Sequence, residues 1–226
     1  MGKCIAIANQ KGGVGKTTTS VNLSSCLAAL GKKVLLIDDD PQGNATSGVG
    51  IERDSLQKSV YDVIINGDDL SQVTQRTDYT KLYICPSSID LAGAEIELVS
   101  AEGREYQLKN AVAEVKDDYD FIIIDCPPSL GLITLNSFVC ADSIIIPIQC
   151  EYYALEGLSQ HTNTNRMVRK KLNPQLETIF LMANSESMYL SSSMVREVAS
   201  MGGDISNFVP KCIHDRIVNR ISNLKK

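Results

Sequence analysis

The stretch Lys11-Gly12-Gly13-Val14-Gly15-Lys16-Thr17-Thr18 carries the densest chemistry in the chain. Glycines at 12, 13 and 15 let the backbone turn its N–H groups inward, where they can cradle phosphate oxygens. A helix starting at Lys16 adds the positive end of its dipole to that cradle. Lys16 can reach the β- and γ-phosphates of a nucleotide, and the Thr17 hydroxyl can ligate Mg²⁺. The common pattern, G-x-x-x-x-G-K-[ST], has glycine where this chain has Gln10, and a second lysine, Lys11, follows it. Two acidic stretches could complete the chemistry. Leu36-Ile37-Asp38-Asp39-Asp40-Pro41-Gln42-Gly43-Asn44 ends an apolar run in three carboxylates. One of them could order water around Mg²⁺ or orient an attacking water. Phe121-Ile122-Ile123-Ile124-Asp125-Cys126-Pro127-Pro128-Ser129 ends another run in an acid that would hold Mg²⁺ directly or through water. Alone, each acidic stretch reads as an ordinary turn or strand end. Their order after a phosphate loop gives them weight.

Such residues need elements to position them. Apolar runs predict strands over Lys3–Ala8, Lys33–Asp38, Lys81–Cys85, Asp120–Asp125, Ser143–Ile148 and Thr178–Ala183, with a weaker one over Asn207–Val209. Phe121-Ile122-Ile123-Ile124 and Ile144-Ile145-Ile146 do not alternate with polar residues, which means burial on both faces of a parallel sheet. Helical spacing predicts helices over Lys16–Leu30, Ser59–Ile65, Asp90–Ser100, Glu105–Lys116, Leu132–Cys140, Ala154–Lys171, Ser191–Ser200 and Ile213–Leu224. The alternation gives an α/β fold, a doubly wound and mostly parallel sheet flanked by helices. In such sheets ligands sit at the carboxyl ends of the strands, where these motifs fall. Loops are expected at Gly48–Ser55 and Met201–Asp204.

The bulk composition is compatible. The chain has 226 residues, 43% hydrophobic and 22% charged, enough for one sizeable core, so a single domain over 1–226 is expected. No apolar run approaches the ~18 residues of a membrane span, and the N-terminus has no secretory pattern, so a cytoplasmic address follows. Seven cysteines, an odd number with no C-x-x-C pair, read as reduced core residues rather than a disulfide or metal framework. Neither His161 nor His214 has a second ligand at helical or hairpin spacing. A net charge of −5 excludes a chain coated in basic residues but not a local patch. Arg166, Arg169, Lys170 and Lys171 form one such cluster, and Arg216, Arg220, Lys225 and Lys226 another.

The three motifs together resemble the ParA/Soj family of chromosome- and plasmid-partitioning ATPases, within the deviant-Walker group that includes MinD. Asn9 to Thr19 is similar to the family's opening. So are Asp40-Pro41-Gln42-Gly43-Asn44-Ala45-Thr46-Ser47-Gly48, Asp125-Cys126-Pro127-Pro128-Ser129-Leu130-Gly131 and Gln149 to Leu158 in their places. The likeness covers about residues 3 to 176. It implies a P-loop NTPase that binds ATP or ADP with Mg²⁺. Gly12, Gly13, Val14, Gly15, Lys16, Thr17 and Thr18 would form the phosphate cradle. Lys16 would bind phosphates, and Lys11 would reach across a nucleotide-sandwich homodimer to the partner's ATP. Asp40 would position the attacking water, and Thr17, Asp38, Asp40 and Asp125 would make up the metal shell. The resemblance also implies non-specific DNA binding by the ATP dimer, a nucleoid-associated location and a ParB-like centromere-binding partner that stimulates hydrolysis.

Beyond Leu176 the likeness thins, leaving 177–226 divergent and short. The family's Asp and Arg positions after a Met are Ser185 and Ser187 here. Its segment near the base pocket is replaced by Pro210-Lys211-Cys212-Ile213-His214-Asp215, where Pro210 would still touch the nucleotide. Ile213, Ile217, Ile221 and Leu224 form an apolar stripe flanked by cations. The ordinary reading is a helix packed on the domain. The alternative is a MinD-like helix lying on a membrane. A nucleotide-binding scaffold without hydrolysis is a further alternative. An iron–sulfur carrier would need the C-x-x-C that the chain lacks.

Overall fold

The computed structural model describes residues 2–148, 154–182, 192–209, 214–215 and 217–220. The chain divides into two compact units, Met1–Met182 and Ala183–Lys226.

The first unit is built on one sheet. Its strands are β1 (Lys3–Ile7), β2 (Val34–Asp38), β3 (Gln75–Arg76), β4 (Leu82–Cys85), β5 (Phe121–Asp125), β6 (Ser143–Ile148) and β7 (Glu177–Met182), ordered β3-β4-β2-β5-β1-β6-β7. Every pairing is parallel except β3 with β4. This is the doubly wound sheet that the apolar runs require. β2 is buried along its whole length, as a strand covered on both faces must be. The helices are α1 (Lys16–Ala29), α2 (Asn44–Gly48), α3 (Leu70–Val73), α4 (Leu91–Glu97), α5 (Gln107–Val115), α6 (Leu132–Cys140) and α7 (Ala154–Lys171). One face of the sheet packs Ala6, Leu35, Ile37, Ile122 and Ile124 with Leu91, Leu108 and Phe138 from the helices. The other packs Ile7, Leu36, Ile84 and Ile123 with Ala28 and Ala45.

Register positions the chemistry. Asp125 pairs with Ile7 on one side and Asp38 on the other, so both acids and the exit to the phosphate loop share one carboxyl edge. Asp39 continues the contact, its N–H donating to the Asp125 carbonyl at 2.9 Å.

The start of α6 is held by a side chain from α4. Glu95 accepts the Leu132 N–H at 2.8 Å and the Ile133 N–H at 3.4 Å, so a carboxylate caps two orphan donors and meets the helix dipole. A Cβ at residue 131 would collide with that carboxylate, so Gly131 is required by the cap. Gly131→Ala and Glu95→Ala are each expected to cost about 1–2 kcal/mol, the range of a lost N-cap. In urea unfolding the double variant should lose clearly less than the sum, since both changes remove one interaction. Full additivity would show that the two residues are not coupled.

Where the structure departs from expectation, the elements are short. The Ser59–Ile65 helix is present but becomes a π-turn over Asp62–Asn66 and ends at Gly67 in the left-handed region, φ 72°. β3, α2 and α3 have too few residues to show a period. In the second unit α8 (Ser192–Ser200) forms as expected. The strand expected over Asn207–Val209 does not form; the chain turns there instead. Ser206 N–H and Oγ donate to the Asp204 carboxylate at 2.8 and 2.9 Å, and Phe208 N–H donates to Ile205 O at 2.9 Å, which winds the segment into turns.

Candidate functional site

The phosphate loop leaves β1 and enters α1 at Lys16. Asn9 fastens it to the sheet: its Nδ2 donates to the Pro147 carbonyl at 2.7 Å, and its Oδ1 accepts the Lys11 N–H at 3.0 Å. Gly13 and Gly15 have φ of 74° and 90°, which side-chain-bearing residues avoid. A Cβ built on Gly12, Gly13 or Gly15 meets nothing within 4 Å. The loop therefore faces open space rather than packed protein, as a cradle for an outside group must. A cavity of about 330 Å³ lies over it, lined by Gly12, Gly13, Gly15, Lys16, Thr17 and Thr18 with Asp40, Gln42, Asn44 and Pro128. Val14 is buried.

The two lysines differ in environment. Lys11 is exposed, whereas Lys16 is only 8% exposed. Lys16 Nζ donates to the Lys11 carbonyl at 3.3 Å. Burial lowers its pKa, and the nearby carboxylates of Asp125 and then Asp40 pull it back up.

Four carboxyl groups crowd the edge behind it. Asp125 is fully buried; its Oδ1 accepts the Ser20 hydroxyl at 2.7 Å, and its Oδ2 has no hydrogen-bond partner among the described residues. Burial raises its pKa to about 6, against the bond from Ser20 and the nearby Thr17 hydroxyl, which favour the charged form. Asp38 binds Thr46 through one of its oxygens. Its Oδ2 accepts both the N–H and the hydroxyl of Thr46 at 2.6 Å, and burial raises its pKa to about 7. Asp40, 7% exposed, accepts the Gln42 N–H on Oδ1 at 2.9 Å, and its carbonyl accepts the Gly43 N–H at 2.9 Å, so the turn after β2 is tight. Asp39 faces α6, where Ser137 Oγ donates to it; burial pushes its pKa well up.

These features fit Mg²⁺ in one particular way. No three His, Cys, Asp or Glu side chains converge to cage a metal among the described residues. Mg²⁺ does not need such a cage: it commonly takes one or two protein oxygens, substrate phosphates and waters. The Thr17 hydroxyl at the cavity wall and the unpartnered Asp125 oxygen behind it suit that arrangement.

The structure thus brings together Lys11, Gly12, Gly13, Val14, Gly15, Lys16, Thr17, Thr18, Asp40 and Asp125. Asp38 stands at the same edge, with one oxygen bonded to Thr46. Pro210 lies outside the described residues, as do Ile213, Ile221 and Leu224 of the C-terminal stripe. Sequence reasoning missed Ser20, Thr46 and Ser137 as partners of the acids. Only Ser20 left a signal, four residues after Lys16 and so on the same helix face. No helix among the described residues is long and apolar enough to cross a membrane.

The chain matches the model of a family described as AAA domain over residues 2–178. It is 55% identical over 200 residues to the sporulation initiation inhibitor protein Soj of Bacillus subtilis, covering 88% of this chain and 79% of that protein. It is 48% identical to the chromosome partitioning protein ParA of Myxococcus xanthus, over 88% of this chain and 71% of that one. Among solved structures, a cobyrinic acid a,c-diamide synthase from Mycobacterium smegmatis with bound ADP and magnesium aligns with a TM-score of 0.79 at 42% identity, over 88% of this chain and 82% of that one. A plasmid partition protein from Borrelia burgdorferi bound to AMPPNP aligns with a TM-score of 0.70 at 26% identity, over 100% and 99%.

Proposed function

Because the chain belongs to the Soj/ParA family of partitioning ATPases, we propose that it hydrolyses ATP with Mg²⁺ through a sandwich homodimer whose ATP-bound form binds DNA without sequence preference. The observation that supports this reading is the difference in burial between the two lysines: Lys16 is buried at the helix start, and Lys11 is exposed. A buried lysine serves the nucleotide of its own subunit. An exposed lysine can reach the nucleotide of a second subunit facing it. Magnesium, when bound, neutralises phosphate charge. Gly12 to Thr18 hold the phosphates, Lys16 neutralises them, Thr17 and Asp125 serve the metal, and Asp40 orients the water. Phosphoryl transfer needs positioning and charge neutralisation more than covalent help, so this set suffices.

Hydrolysis would remove the group that joins the subunits, and a ParB-like partner that speeds it would release the dimer from DNA. The synthase name of the Mycobacterium smegmatis neighbour gives another chemistry; the partitioning reading follows the two relatives at 55% and 48% identity. DNA binding by phosphate contacts would weaken steeply with added salt.

The test is complementation. Lys11→Ala should keep nucleotide affinity within about threefold but lose the ATP dimer in light scattering and lower turnover by on the order of 10²-fold or more, as for other cations supplied in trans. Asp40→Ala should also be inactive. Mixed together, the two should regain turnover, because the Lys11→Ala subunit keeps Asp40 and receives Lys11 from its mate. No recovery on mixing would refute the supply of Lys11 in trans.

A further inference from the structure

The turn that carries Asp40 is held by a side chain that lies outside every motif. Arg53 opens a single 3₁₀ turn, Arg53–Ser55, and its side chain reaches back to Asp40-Pro41-Gln42-Gly43. Its Nη1 donates to the Gln42 carbonyl at 2.6 Å, and its Nη2 donates to the Pro41 carbonyl at 3.2 Å. Asp40 takes the other ends of the same two peptide groups. The Gln42 N–H, which shares a peptide with the Pro41 carbonyl, donates to Asp40 Oδ1 at 2.9 Å. The Gly43 N–H, which shares a peptide with the Gln42 carbonyl, donates to the Asp40 carbonyl at 2.9 Å. Among the described residues every peptide is trans, and in a trans peptide C=O and N–H point opposite ways. Each of the two peptides is therefore pinned between the guanidinium on one side and Asp40 on the other.

The clasp has its own supports. A Cβ on residue 43 would collide with the Arg53 guanidinium, so the arginine needs the glycine as well as the carbonyls. Arg53 Nε is buried without a hydrogen-bond partner among the described residues, a destabilising arrangement that accompanies the placing of both Nη groups. The backbone that carries Arg53 is tied down nearby. The Ile51 N–H donates to the Thr46 carbonyl at 3.2 Å, and Ile51 packs on the core at the sheet face of Ala28 and Ala45. Asp40 and Gln42 line the phosphate-loop cavity, whereas Arg53 lines a separate concavity of about 560 Å³ with Ser47, Gly50 and Ile51. An arginine on two carbonyls is ordinarily a loop tether. This one differs because both of the peptides it holds end on one residue, Asp40.

We infer that Arg53 is a positioning residue for hydrolysis, fixing the aim of the Asp40 carboxylate through the two peptides of the turn. The inference rests on the proposed role of Asp40 in orienting the attacking water. The planar guanidinium suits the task, because its fork presents several donors in one rigid frame.

ATP turnover by the full chain, measured together with affinity for a non-hydrolysable analogue, tests it. Arg53→Met keeps an apolar stem and removes the donors. It should lower kcat by about tenfold to 10²-fold, the scale for a misplaced reacting group, while affinity stays within about threefold. Arg53→Gln, whose single amide cannot span both carbonyls, should lose about threefold or more in kcat at unchanged affinity. It carries the test if the methionine variant does not fold, which thermal melting reports. In single-turnover experiments, adding Arg53→Met to Asp40→Ala should slow hydrolysis by less than about threefold further, because the residue through which Arg53 acts is already gone. A plain tether would lower the melting temperature and leave kcat alone. Wild-type kcat in a folded Arg53→Met or Arg53→Gln overturns the inference. So does a loss that falls on affinity instead of kcat, or one that multiplies in full with Asp40→Ala. Asp40→Ala by itself separates the two readings. At the wild-type rate it overturns the role of Asp40 and this inference with it; slow, beside a fast Arg53→Met, it overturns this inference alone.

Discussion

Lys16→Ala is expected to lower affinity for Mg·ATP and Mg·ADP by about two to three orders of magnitude. Lys16 is the buried lysine of the loop, 8% exposed; it lines the cavity, and its ammonium feels the charges of Asp125 and Asp40. Hydrogen bonds to charged groups are worth about 1.5–3 kcal/mol each, and two lost together amount to roughly 3–6 kcal/mol, the lower half of which spans those orders of magnitude. In the empty protein the cost should be far smaller. Lys16 there makes one long bond to the Lys11 carbonyl, and burial already disfavours its charge. The expected pattern is therefore a near-normal melting temperature without nucleotide and loss of the stabilisation that nucleotide confers. Calorimetry and thermal melting with and without Mg·ADP measure both parts. Wild-type affinity in the variant would remove Lys16 from its proposed role.

Asp40→Ala is expected to have the opposite signature: binding retained, turnover reduced by about 10²–10⁴-fold, the range for a lost group that positions or activates a nucleophile. Asp40 also shapes its turn through the Gln42 N–H, so alanine alone would confuse charge with geometry. Asp40→Asn separates them, because the amide oxygen can still accept that bond while the charge is gone. If orientation of water by the carboxylate is the role, asparagine should be nearly as slow as alanine. If the turn is what counts, asparagine should recover most of the rate. Single-turnover kinetics with radiolabelled ATP, alongside affinity for a non-hydrolysable analogue, gives the separation. Hydrolysis at the wild-type rate in Asp40→Ala would refute the assignment. A wild-type protein that binds ATP without turning it over would establish the scaffold alternative.

The parts of the fold that could be read in advance are those whose signal is local. β5 and β6 announce themselves by uninterrupted isoleucines, because a strand buried on both faces has no polar position to spare. α6 and α7 match their expected limits because each is long enough to show a period. α2, by contrast, has five residues ending in glycine and is held by a tertiary bond, the Asp38 carboxylate capping Thr46 eight residues on. β3 is two residues without pattern, paired antiparallel to Ile84 and Tyr83. The site divides in the same way. The loop, Lys16 and the acids are contiguous motifs. The partners of the acids are not: Ser137 meets Asp39 across 98 residues of chain, and Ser20 meets Asp125 across 105. The motif identified Asp38 as an acid at the right edge but could not reveal that one of its oxygens takes both bonds from Thr46.

The row of buried acids at the carboxyl ends of β2 and β5 has a consequence for anyone who engineers this protein. Asp39 and Asp125 each keep one buried oxygen without a partner among the described residues, and burial resists the charge of both. Such groups weaken a fold on their own and are kept where activity requires them. Selection for heat resistance alone would enrich neutral replacements at these positions. The hardiest clones from such a screen would then include ones that have lost Asp125, and with it the site.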